Sequence, residues 1–131
     1  MYKNNYSLSV KDFKLYDPDL NIQEKVMVLT WDIETFSDRG LGDLPQAKYD
    51  EDEVFMMCMT VHWKDDIKPF LKICLTTQET HKEEDWLLLM CKDQAELIMN
   101  LAMCIKRLNP DVMIGFNDSG YDWPFVLEKA E

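Results

Sequence analysis

Residues 26–34, Val-Met-Val-Leu-Thr-Trp-Asp-Ile-Glu, are an apolar run that closes on two carboxylates, Asp32 and Glu34, with one residue between them. A β-strand turns successive side chains to opposite faces, so positions i and i+2 share a face. On a strand over Val26–Glu34 the two acids point the same way, about 6.5–7 Å apart. Two carboxylates at the end of a buried strand repel each other unless a positive charge sits between them. A divalent cation bound by oxygen ligands meets that need. The same spacing recurs at Asp17/Asp19, Asp50/Asp52, Glu51/Glu53 and Glu83/Asp85. Those pairs lie in polar or turn-like surroundings, where a solvated acidic face is the simpler reading. What sets Asp32/Glu34 apart is the apolar strand leading into it.

The rest of the chain supplies a sheet for that strand. Residues 1–25 are polar and irregular, with a turn at Tyr16-Asp17-Pro18-Asp19, and read as a lead-in. Thr35–Glu53 carries Gly40, Gly42, Pro45 and many acids and reads as a long exposed loop. Val54–Trp63 is almost continuously apolar, as a strand buried on both faces would be. Lys64-Asp65-Asp66 reads as a hairpin turn, Phe70–Thr76 as a third strand and Trp86–Met90 as a short apolar segment. Asp93–Leu108 is the clearest helix: Asp93 and Glu96 have capping-box spacing, and Leu97, Leu101, Cys104, Ile105 and Leu108 fall on one stripe. Asn109-Pro110 stops it. Val112–Phe116 then reads as a short buried strand, Asn117–Gly120 as a turn, and a second helix starts near Asp122 with Pro124 in its first turn. Three neighbouring strands able to pair antiparallel, followed by a helical crossover, predict an α/β fold with a mixed sheet.

Composition limits what such a domain does. With 131 residues, 47% of them hydrophobic and 30% charged, the chain can bury a core as one domain. It has no run approaching a membrane span, and its amino terminus lacks the apolar core of a signal peptide, so an intracellular protein is expected. A net charge of −11 opposes a self-sufficient nucleic-acid binder, because phosphate contacts require Lys and Arg. It does not exclude a metal-dependent nuclease, whose ligands are themselves acidic. Cys58, Cys74, Cys91 and Cys104 are widely spaced beside apolar segments and read as buried free thiols rather than a zinc site. His62 and His81 show no role.

The second informative stretch is Asn109–Phe125, where a strand runs into a polar turn holding Asn117 and Asp118, and Asp122 opens a helix. Asp122 could simply serve the helix terminus, and Tyr121, Trp123 and Phe125 could be core. Taken with the first stretch, however, the pattern resembles the 3′–5′ proofreading exonuclease domain of family B DNA polymerases. In that family the first motif is Asp-x-Glu, matched by Asp32-Ile33-Glu34-Thr35 with Phe36 behind it. The second is Asn, two or three residues, Phe or Tyr, then Asp, matched by Asn117-Asp118-Ser119-Gly120-Tyr121-Asp122. Pro110-Asp111, Gly115-Phe116 and Pro124 match the flanks, and the resemblance runs from about Tyr16 to Glu131, with a first loop similar to that of polymerases from large double-stranded DNA viruses.

The resemblance implies an RNase H-like (DnaQ-type) fold over residues 26–131 and two-metal phosphodiester hydrolysis with Mg²⁺ or Mn²⁺. It implies that Asp32 bridges both ions, that Glu34 holds the water-bearing ion and that Asp122 supports the second. Asn117 would place a frayed 3′ end of single-stranded DNA, and Phe36 and Tyr121 would stack on its bases, unless they are ordinary core or loop aromatics. The family's third motif, Tyr-x-x-x-Asp, does not occur after Asp122. The expectation is therefore an amino-terminal part of a larger polymerase, partnered by its remaining domains and inactive alone. The alternative is a noncatalytic acidic interaction module that retains the fold.

Overall fold

The computed structural model describes residues 25–40, 42–81 and 83–131. The amino-terminal lead-in, with its turn at Tyr16–Asp19, lies outside the described residues. In chain order the elements are β1 (Met27–Ser37), β2 (Asp52–Trp63), β3 (Leu71–Thr76), β4 (Leu87–Met90), α1 (Gln94–Leu108), β5 (Val112–Ile114) and α2 (Asp122–Lys129). They build one mixed sheet in the order β4-β3-β2-β1-β5. β1/β2 and β2/β3 are antiparallel, whereas β3/β4 and β1/β5 are parallel. The expected α/β mixed sheet with flanking helices is present.

The period-2 alternation of β1 decides which way its acids face. Leu29, Trp31 and Ile33 are buried, and Asp32 and Glu34 between and after them are exposed. The buried face joins Met57, Met59, Val61, Ile73 and Leu75 from β2 and β3. Leu97 and Leu101 of α1 and Phe125 and Val126 of α2 close this core. Helix α1 starts as the sequence predicts: the Asp93 carboxylate accepts the Glu96 N–H at 2.9 Å. The reciprocal bond differs from a capping box, because Glu96 reaches back to the Lys92 N–H, 2.7 Å away. Asn109, at φ 46°, ends the helix in the left-handed conformation.

Three sequence expectations are corrected. β2 is not buried on both faces. Val54, Met57, Met59 and Val61 are buried, while Met56, Cys58, Thr60 and His62 are only partly so and share the second face with Asp32 and Glu34. Met, Cys and Thr are hydrophobic enough to hide this alternation in the sequence. The exposed loop after β1 is shorter than expected, because β1 runs on to Ser37 and β2 begins at Asp52. It also ends on a fully buried carboxylate, Asp52, rather than a solvated acid. Finally, β5 is an edge strand rather than a buried one. Val112 and Ile114 are exposed on the open face, and Phe116 just beyond is 93% exposed.

Candidate functional site

Asp32 and Glu34 stand on the open sheet face opposite Cys58 and Met56 of β2. The register slips immediately after Glu34, so that Thr35 pairs with Val54 and Phe55 is the extra residue. Such a bulge twists the strand and re-aims the side chains beyond it. The Val54 N–H is taken by the Gln94 side chain at the start of α1, 2.8 Å away. Past the bulge, Phe36 is 55% exposed beside Glu53, Phe55 and Gln78.

The second group of residues arrives from β5 and its turn. Asp111 anchors that strand to β1: its carboxylate accepts the Met27 N–H at 2.7 Å, and its own N–H donates to the Met27 carbonyl at 3.0 Å. Asn117 is left-handed at φ 56°, and its carbonyl accepts the Gly120 and Tyr121 N–H groups. The turn packs closely around its glycines. A Cβ on Gly115 would lie 2.5 Å from the Asp118 Cβ, and one on Gly120 would lie 2.6 Å from the Asn117 Oδ1. The turn delivers Asp122 as the first residue of α2, with its side chain 3% exposed.

The Asp122 carboxyl is pushed above the ordinary carboxylate range, first by burial, then by the charge of Asp32 and next by that of Asp118. Asp32 and Asp122, ninety positions apart in the chain, are thus near enough for charge to act between them, and their neighbours Trp31 and Trp123 pack with ring centroids 4.4 Å apart. None of Asp32, Glu34, Asp118 and Asp122 has a Lys or Arg partner among the described residues. Such a donor set fits a divalent cation, being oxygen-rich, negative and without a counter-charge. Among the described residues, no three His, Cys, Asp or Glu side chains converge on one ion position.

Tyr121 does something the sequence did not reveal. Its hydroxyl shares a 2.8 Å hydrogen bond with the Thr35 Oγ1 and donates to the Pro45 carbonyl at 3.0 Å. Its ring packs against Phe125. Residue 121 thus ties the second motif to the first and to the loop between β1 and β2, whereas Phe36 and Asn117 remain exposed. Burial also raises the pKa of the tyrosine hydroxyl.

Two acids were missed from the sequence. Asp118 had a usable signal, since it lies inside the second motif, where its charge helps to raise the Asp122 carboxyl. Asp52 had none, because the groups that claim it are scattered. It accepts from the Ser37 hydroxyl, from Nε and Nη2 of Arg39, and from the Gln46 N–H.

Residues 2–131 match the family described as DNA polymerase family B, exonuclease domain. A protein named DNA polymerase beta from African swine fever virus is 33% identical over 127 residues, covering 97% of this chain and 10% of its own length. The DNA polymerase delta catalytic subunit of Candida albicans is 26% identical over 104 residues, covering 79% of this chain and 10% of its own. Among solved structures, the family B DNA polymerase of the hyperthermophilic archaeon Pyrobaculum calidifontis superposes with a TM-score of 0.53 at 26% identity. That superposition covers 80% of this chain and 11% of the archaeal one. The chain thus spans about a tenth of the length of the curated relatives it matches.

Proposed function

This chain belongs to the exonuclease-domain family of family B DNA polymerases, and its fold is RNase H-like; on that premise we propose that it carries part of a 3′–5′ proofreading site that removes nucleotides from a DNA primer end. The observation that carries this reading is the pair Asp32 and Glu34 on one open face of β1, with Trp31 beside it packed on Trp123, the neighbour of Asp122, at 4.4 Å between ring centroids.

In this reading Asp32, Glu34 and Asp122 hold two divalent ions, Mg²⁺ or Mn²⁺. When bound, such ions polarise the scissile phosphodiester and acidify the attacking water. The protein's own part is positional. The strand fixes Asp32 and Glu34 on one face, and the first turn of α2 holds the buried Asp122 carboxyl within reach of the Asp32 charge. Asn117 at the turn and Phe36 past the bulge border the position of an unpaired 3′ end, for which an exposed aromatic ring offers a sequence-tolerant stacking surface. The Tyr121 hydroxyl is engaged by Thr35 and Pro45, which leaves only its ring for contact with DNA. The single-stranded 3′ end and the remaining polymerase domains are the proposed partners. The family's Tyr-x-x-x-Asp motif does not follow Asp122 here, so this chain alone is expected to trim DNA at background rates.

Two measurements test this. Manganese binding by the chain, followed by electron paramagnetic resonance, should be strong in the wild type and lost in the Asp32→Ala/Glu34→Ala double variant. In a longer polypeptide that continues through a Tyr-x-x-x-Asp motif, metal-dependent 3′ trimming of single-stranded DNA should fall by about 10²–10⁴-fold in the same variant. Equal trimming by variant and wild type would remove these acids from the site. The competing reading, an acidic module without catalysis, draws support from the lack of a three-ligand convergence among the described residues. It predicts no manganese binding in either protein.

A further inference from the structure

On the open face, one row of the sheet reads Asp32, Cys58, Cys74 across β1, β2 and β3. The two cysteines are direct partners in an antiparallel register. The Thr77 N–H donates to the Phe55 carbonyl at 2.9 Å, which makes Phe55/Thr77 a hydrogen-bonded pair. Pair types alternate along the ladder, so Cys58/Cys74, three steps on, is a non-hydrogen-bonded pair. Its Cα atoms belong at about 4.5 Å with side chains close, within the roughly 4.4–6.8 Å that a disulfide spans. Both are free thiols. They line a groove with Met56, His81, Glu83 and Trp86, where Cys58 is partly buried and Cys74 is buried.

We propose that Cys58 and Cys74 are a reversible disulfide site, closed by a small-molecule disulfide of the glutathione type. Burial pushes the Cys58 thiol up to about 12, so the exchange is slow: the small thiolate fraction of Cys58, the less buried of the two, attacks one sulfur of the oxidant, and one thiol leaves with the first cysteine proton. Cys74 then attacks the Cys58 Sγ of the mixed disulfide, and the second thiol leaves with the other proton. Two electrons pass from the cysteine pair to the oxidant, and no other reactant is required. The bond joins β2 to β3 beside the carboxylate row without a change of register. It is independent of any catalytic role for Asp32.

The full chain, equilibrated in glutathione buffers from reducing to oxidising, tests this by alkylation of remaining thiols and peptide mapping. The expected result is a fall from four free thiols to two, a linked Cys58–Cys74 peptide, full reversal by dithiothreitol and a raised Tm in the oxidised form. A Cys91→Ser/Cys104→Ser variant should close the same bond, and Cys58→Ser or Cys74→Ser should close none. Retention of all four thiols, a glutathione adduct that never resolves, or a bond that includes Cys91 or Cys104 would overturn the proposal.

Discussion

Asp52, the first residue of β2, is fully buried and hydrogen-bonded to Ser37, Arg39 and Gln46. The Arg39 guanidinium hydrogen-bonded to it, helped by Ser37 and the Gln46 N–H, holds its carboxyl well below the usual carboxylate range. A carboxyl depressed by folding stabilises above its unfolded pKa and loses that contribution as pH falls. Asp52→Ala should therefore lower Tm by more than roughly 5 °C at pH 7. The deficit should shrink between about pH 4 and pH 2, as calorimetry across a pH series would read. Asp122 has the opposite sign. Its carboxyl is raised by burial and by Asp32, so the folded chain holds that proton more tightly than the unfolded one. The charged residue then costs stability as pH climbs past the ordinary carboxylate value. Asp122→Asn is expected to raise Tm at pH 7 and to have no effect near pH 3, both measured in chelator, and in a separate chelator-free titration to abolish manganese binding. A fall in Tm at pH 7 would contradict the burial of an uncompensated charge.

Between elements, the Tyr121 hydroxyl joins three segments: β1 through Thr35, the following loop through Pro45, and α2 through its own backbone. Lys129 adds a second tie from the far end of α2, donating to the Tyr49 carbonyl at 2.7 Å. Tyr121→Phe keeps the ring and removes both hydrogen bonds, so a loss of about 1–2 kcal/mol in urea unfolding is expected. A loss no larger than a few tenths would mean that the hydroxyl is a bystander. These ties also explain which parts of the fold were readable in advance. The acids of β1 were legible because their strand alternates apolar and polar residues, and α1 because its stripe and caps are local. β5 was misread as buried because Val112, Met113 and Ile114 look alike in sequence, whereas the edge position exposes two of the three. Asp52 and Tyr121 were illegible because their roles depend on partners brought in by the loop and by the far end of the chain.

At the scale of the molecule, charge and connectivity matter most. A net charge of −11 gives this chain little with which to hold a phosphate backbone. In fluorescence anisotropy at 0.15 M salt, single-stranded DNA should show no saturable binding up to about 100 µM chain. Tight binding would show that the basic surface is already present here. Among the described residues, no helix is long and apolar enough to cross a membrane. The Met27–Asp111 and Thr35–Tyr121 bonds span 84 and 86 positions. β1, β2 and β3 follow one another closely in sequence, so their pairing closes shorter loops than the docking of β5 and α2. Loop-closure entropy makes distant contacts the slower ones to form. In the order of folding, then, the meander that displays Asp32 and Glu34 consolidates first, and Asp122 reaches its place only when the last strand and helix dock. A refolding experiment should register the hairpin amides of β2 and β3 as protected before those of α2, with the acid constellation a late product of the folding reaction.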